Sequence, residues 1–224
     1  MNTDSHDHRP DFMVTLGLAP PYVLDDVKQA YRDRARETHP DRGGSLEAFN
    51  AVQEAFERAQ EYVAFRGDRR GWIAAKVARY KAMQEAIDRI RGFGADVTLY
   101  MPPWLENSYG DFAQLTETVQ TVRLQGPADG DALIAALVVE HEHLRELAVL
   151  ELTGCTVTDH IVIQLAYFQQ LRRIDLSNTD VTAGVLDLID AIPALRELEL
   201  EGTQVGWWAK HRAASKLHAR ASEL

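Results

Sequence analysis

One apolar pattern returns three times at a fixed spacing, and it limits the possible folds more than any other feature of the chain. Leu147-x-x-Leu150-x-Leu152-x-x-Cys155-x-Val157 recurs as Leu171-x-x-Ile174-x-Leu176-x-x-Thr179-x-Val181 and again as Leu195-x-x-Leu198-x-Leu200-x-x-Thr203-x-Val205. Each copy begins 24 residues after the one before. A looser copy, Val119-x-x-Val122-x-Leu124, begins 28 residues before the first clear one. A unit of this length is one short strand with a returning helix, and neither element can bury its apolar side alone. Stacking solves the problem by building one continuous core from neighbouring units. The expected core residues are Leu150, Leu152, Ile174, Leu176, Leu198 and Leu200, with returning helices near residues 161–168 and 185–192. A strand near residues 97–101 is placed to open the stack.

The N-terminal part reads differently. Residues 1–10 are polar and are expected to be a disordered tail. Pro20-Pro21 blocks helix continuation. Asp25 and Asp26 suit a first helical turn, and Val27, Tyr31 and Ala35 share one face of a helix expected over residues 24–38. Pro40 disfavours helical geometry at His39 and ends that helix. Ser45 can cap a second helix, in which Phe49, Val52, Phe56, Ala59 and Val63 recur at helical spacing. The result is an antiparallel helix pair with a polar tip. A third helix is expected from Asp68 to Arg91, ended by Gly92 and Gly94.

Charge follows the same divisions. The net charge is −10, but residues 1–65 carry −5, residues 66–91 carry +5, residues 92–208 carry −13 and residues 209–224 carry +3. Such blocks indicate modules with different surfaces. The acidic total argues against general nucleic-acid binding, which depends on neutralising phosphate. Lys28, Arg32 and Arg36 stand at i, i+4 and i+8, on one helix stripe beside the His39-Pro40-Asp41 loop. A basic stripe of this kind steers an acidic partner, and Asp41 can offer its carboxylate to a partner arginine. The same stripe is also compatible with an ordinary solvated face.

Phe12…Leu16-Gly17-Leu18, Lys28-Gln29-Ala30-Tyr31-Arg32, His39-Pro40-Asp41 and Phe49-x-x-Val52-x-x-Ala55-Phe56 occur in the order and spacing of a J domain. Residues 11–66 therefore resemble that module of DnaJ-type co-chaperones. The resemblance implies a helical hairpin that binds a DnaK-type (heat-shock-70) chaperone and stimulates its ATP hydrolysis. It also implies that His39, Pro40 and Asp41 make the essential contact, with Lys28, Arg32 and Arg36 as the basic docking face. The sequence departs from the family pattern at Asp33, inside the basic run, and at Arg34, where an apolar leucine is common. It has neither a Gly/Phe-rich linker nor a C-x-x-C zinc module.

The repeats resemble bacterial-style leucine-rich repeats, with Thr or Cys in place of the usual Asn after the strand. That resemblance implies a curved stack with strands on its concave side. Arg123, Glu151, Asp175 and Glu199 would then point outward, flanked by Arg173, Glu197, Ser177 and Glu201. Most are acidic, so a Lys- or Arg-bearing client is the expected partner, and a merely solubilising surface is the alternative.

The expected architecture is thus α plus α/β. A J-domain hairpin (11–66) leads to a connecting helix (67–94), a short leucine-rich-repeat solenoid with a small parallel sheet (95–206) and a C-terminal cap helix (207–224). Trp207-Trp208 is read as the lid over the open end of the stack, with an aromatic binding platform as the alternative. The single cysteine, Cys155, excludes an internal disulfide or a cysteine-based zinc site. His141-x-His143 is a poor metal pair, because alternate residues of a helix diverge. No phosphate-binding glycine loop or nucleophile–base–acid set can be proposed, so no enzyme activity and no cofactor are expected. ATP and Mg²⁺ would belong to the partner chaperone. No apolar run approaches membrane-helix length, and a cytoplasmic location without membrane attachment is expected. The function expected is that of an adaptor co-chaperone. The alternative is an interaction scaffold whose J-like hairpin has lost chaperone activity.

Overall fold

The computed structural model describes residues 9–102, 105 and 109–222. The chain forms two compact units, one up to Ala75 and the other spanning Lys76–Glu223. It is a mixed α/β protein with one five-stranded, mostly parallel sheet.

The first unit is helical. It contains α1 (Asp11–Thr15), α2 (Leu24–Thr38), α3 (Leu46–Gly67) and the start of α4 (Arg69–Arg91). Tyr31 stacks on Phe56 with ring centroids 4.1 Å apart, and His39 meets Phe49 edge-on at 5.4 Å. As one chain number rises the other falls, so α2 and α3 are antiparallel. Val27, Val52, Ala55 and Ala59 are buried. Because α2 is rich in charge, the aromatic stacks and these small aliphatic side chains supply most of the hairpin's apolar contact. The short α1 packs on α3, with Phe12 edge-on to Tyr62 at 5.7 Å. Arg58 of α3 lies 4.8 Å over the Phe12 ring and pairs with Asp11 at 2.9 Å.

The second unit is built on the sheet. Strands β1 (Asp96–Tyr100), β2 (Thr118–Arg123), β3 (Val149–Glu151), β4 (Arg173–Asp175) and β5 (Glu197–Glu199) lie in chain order. β1 is antiparallel to β2, and all later pairs are parallel. The register follows the repeat: Val122, Leu150, Ile174 and Leu198 are lateral neighbours. The returning segments are α5 (Gly130–Val139), residues 159–167 with α6 (Asp159–Val162), and residues 183–191 with α7 (Leu188–Ala191). They bury Leu133, Leu137, Val162, Leu165, Val185 and Leu188 in one core with the strand leucines. The C-terminal half of the helix expected as a connector adds Met83, Ile87 and Ile90 to this core.

The last helix, α8 (Trp207–Ser222), packs beside β5. The expectation that its tryptophans form the lid needs correction. Ala209, Ala213 and Leu217, one helical stripe, face the core, while Trp207 and Trp208 are 65% and 77% exposed. Trp207 stacks on His211 with ring centroids 5.5 Å apart, and Trp208 borders a surface groove with Leu186 and Ile189.

A second device ties the units of the repeat together. Asp131 accepts hydrogen bonds from the Thr158 backbone N–H and hydroxyl, both at 2.8 Å. One repeat later Asp159 accepts the same pair from Thr182, the backbone one at 2.8 Å. Each carboxylate at a helix start thus satisfies the start of the next helix.

Candidate interaction sites

The first candidate is the tip of the α2–α3 hairpin. α2 stops at Thr38, because His39 before Pro40 is held in extended geometry (φ −62°, ψ 130°). Pro40–Arg42 forms a single 3-10 turn, closed by Gly43 at φ 88°, a left-handed geometry that favours glycine. Gly44 passes so close to the end of α2 that a Cβ there would sit 2.0 Å from the Thr38 carbonyl oxygen. The His39 Nδ1 accepts the Asp41 backbone N–H at 3.1 Å. In the neutral ring the proton then sits on Nε2, on the far side. The Asp41 side chain is 88% exposed and lies 3.7 Å from Nδ1. The loop is thus rigid in its backbone and open in its side chains.

Lys28, Arg32 and Arg36 are all exposed on α2. Asp33 changes how they are held. Arg32 donates to Gln29 Oε1 at 2.8 Å, and Gln29 Nε2 donates to both Asp33 oxygens at 3.1 and 3.0 Å. Arg36 lies 3.8 Å from the same carboxylate. Two of the three cations therefore belong to a network centred on Asp33. Arg34 keeps its guanidinium at the surface, 3.1 Å from Glu37.

The second candidate is the outer face of the sheet, which the returning helices leave uncovered. Arg123, Glu151, Asp175 and Glu199 form one lateral row. The row is less bare than a list of acidic residues implies. Arg123 pairs with Glu151, which raises the guanidinium's pKa chiefly through that hydrogen bond. Asp175 accepts the Thr153 hydroxyl at 3.1 Å and the Ser177 N–H at 2.8 Å. Arg173, in the neighbouring row, lies 3.6 Å from Glu197 and 3.8 Å from Glu199. Glu201, just past β5, is exposed.

A further row lies at the N-terminal edge of the strands, and sequence reading passed over it. The backbone ladder makes Gln120, Ala148, Arg172 and Arg196 lateral neighbours. A groove of about 390 Å³ beside this row is lined by Tyr100, Gln120, Glu146, Ala148, Gln170 and Arg172. The 24-residue offset between Arg172 and Arg196, the same as the repeat, was the available signal.

Among the described residues no cluster of three or more His, Cys, Asp or Glu side chains could hold a metal ion. His141 is engaged instead through Nδ1 with the Val138 carbonyl oxygen at 2.9 Å. Cys155 is buried, and burial pushes its thiol pKa up. Among the same residues no helix is long and apolar enough to cross a membrane. No family model, curated protein or solved structure matches the chain.

Proposed function

We propose that the chain is a J-domain co-chaperone, in which the helical hairpin stimulates ATP hydrolysis by a DnaK-type chaperone and a leucine-rich-repeat unit selects a client. One observation carries this reading. His39, Pro40 and Asp41 occupy the open tip of an antiparallel helix pair, on a backbone fixed by Pro40, Gly43 and Gly44, next to the exposed Lys28, Arg32 and Arg36. Asp41 is exposed at that tip, where its carboxylate is open to a partner arginine. The repeat unit supports the client-selecting half, since its strand face is uncovered and patterned in charge. No catalytic group is assigned to the chain; ATP and Mg²⁺ are the partner's.

The Asp33 network favours a second reading, an interaction scaffold with a J-like hairpin, because it holds Arg32 and Arg36 against their own helix. Steady-state ATP turnover by a purified DnaK-type chaperone separates the two. The co-chaperone reading expects stimulation by the parent protein and none by His39→Gln, with equal helicity of both. Absence of stimulation by the parent leaves the scaffold.

A further inference from the structure

The repeat sorts the charges of the strand face into rows of opposite sign. At the N-terminal edge of β4 and β5 stand Arg172 and Arg196. Arg196 donates to the Pro193 and Leu195 carbonyls, at 2.7 and 3.1 Å, and among the described residues it makes no ion pair with a carboxylate. Three residues along each strand stand Asp175 and Glu199, followed by Glu201. Arg172 and Arg173 both donate their N–H to the Ala148 carbonyl oxygen at the start of β4, so the two borders stand at most about 10 Å apart, the span of three extended residues. Arg173 and Glu197 stand between these borders, and Arg173 compensates Glu197 and in part Glu199 of the negative border. On β4 and β5 the face therefore carries cations at one border and carboxylates at the other, with Glu146 lining the groove beside Arg172, and is not uniformly acidic.

Two borders of opposite sign about 10 Å apart match the width of an α-helix with its side chains, about 10–12 Å. The opposite charges face each other on β4 and β5, neighbouring strands about 4.8 Å apart, close to the 5.4 Å of one helical turn. Ala148 keeps the surface low beside Arg172, where the groove with Tyr100 gives room for side chains. The chain's own α8 does not fit, because residues 207–222 contain cations and no carboxylate.

We propose that this face docks a helix of a partner protein that carries acidic side chains along one edge and basic side chains along the other. The helix lies across the strands, with its acidic edge over Arg172 and Arg196 and its basic edge over Asp175, Glu199 and Glu201. This rests on the client-selecting role proposed above for the repeat unit, and is independent of chaperone activation.

The test uses the full chain and labelled alanine-based helices of about 18 residues, long enough to hold their fold. One probe has Lys along one edge and Glu along the other. A second has the same composition scrambled, and a third carries Lys only. Fluorescence anisotropy at low salt should show the two-edged helix binding about tenfold more tightly than either control, with the preference fading as salt screens it. Arg172→Glu with Arg196→Glu should remove the preference, and so should Glu199→Lys with Glu201→Lys. All four substitutions together should restore it, because a helix turned end to end exchanges its edges. Equal or tighter binding of the Lys-only helix would overturn the two-edged partner while leaving a client-binding acidic face. Equal binding of the scrambled helix also overturns it. Binding of no probe below about 1 mM overturns it together with the client-selecting reading. Circular dichroism of each variant confirms that the sheet is intact.

Discussion

Leu176→Ala tests whether the stacked strands act as one core. Leu176 follows β4 directly, is fully buried, and donates its backbone N–H to the Glu199 carbonyl at 3.0 Å. Leu152 lies one repeat before it and Leu200 one repeat after. The substitution removes three buried carbons, worth about 2.4 kcal/mol at 0.8 kcal/mol each. Each 10 Å³ of cavity that the neighbours fail to fill adds about 0.24 kcal/mol. Partial collapse therefore brings the cost to about 3–4 kcal/mol. Leu198, by contrast, is only partly buried, in the last strand, where α8 is its outer neighbour. Leu198→Ala should cost about 1–2 kcal/mol. Because the chain has two units, a single unfolding midpoint is a poor readout. Hydrogen exchange followed peptide by peptide reports the loss within the repeats. Leu176→Ala should speed exchange in β3, β4 and β5 together, since each unit supports the next. Faster exchange in β4 alone, or a larger effect from Leu198→Ala, would refute the shared core.

Three other outcomes follow from the geometry. Trp207→Ala and Trp208→Ala should each change urea stability by no more than about 0.5 kcal/mol, whereas Leu217→Ala should cost about 2–5 kcal/mol. Gly44→Ala should destabilise the hairpin by about 1–3 kcal/mol, seen as faster hydrogen exchange in α2 and α3, because its Cβ would collide with the Thr38 carbonyl. The Lys216 ammonium, hydrogen-bonded to Asp190, holds that carboxyl below the usual range. A lowered folded pKa gives stability that is present above the unfolded value of about 4 and is lost as pH falls through the folded value. The gap in the urea midpoint of the second unit's own transition, between parent and Asp190→Asn, should therefore be full at neutral pH and shrink below about pH 4; a constant gap would contradict this.

The sheet was legible because its period is long-range and its positions are apolar. The 24-residue offset determined which leucines became neighbours, and the register of Leu150, Ile174 and Leu198 follows from it. The hairpin was legible from Pro40, Ser45 and the helical spacing on either side. Charges were read less well. A list of outward residues gave Glu151, Asp175 and Glu199 as an acidic row, yet Arg123 and Arg173 reach sideways across strands and neutralise part of it. Long side chains choose partners by distance in space, which the repeat determines only for the backbone. The tryptophans were misplaced for a related reason. Hydrophobicity alone assigns Trp207 and Trp208 to the lid, but the helix turns the stripe of Ala209, Ala213 and Leu217 to the core.

The carboxylate–threonine contacts also bear on how such a stack can lengthen. Asp131 serves Thr158 and Asp159 serves Thr182, but at the next equivalent positions the chain has Ala183 and Gly206, and α8 begins at once. The segment 159–182 is thus a self-contained module: it begins with the acceptor and ends with its donor. A tandem duplication of that segment would insert with every junction satisfied. Duplication of 183–206 would leave a seam with no such bond. Copying within the middle of this stack would keep the carboxylate–threonine pairing, whereas copying 183–206 would break it.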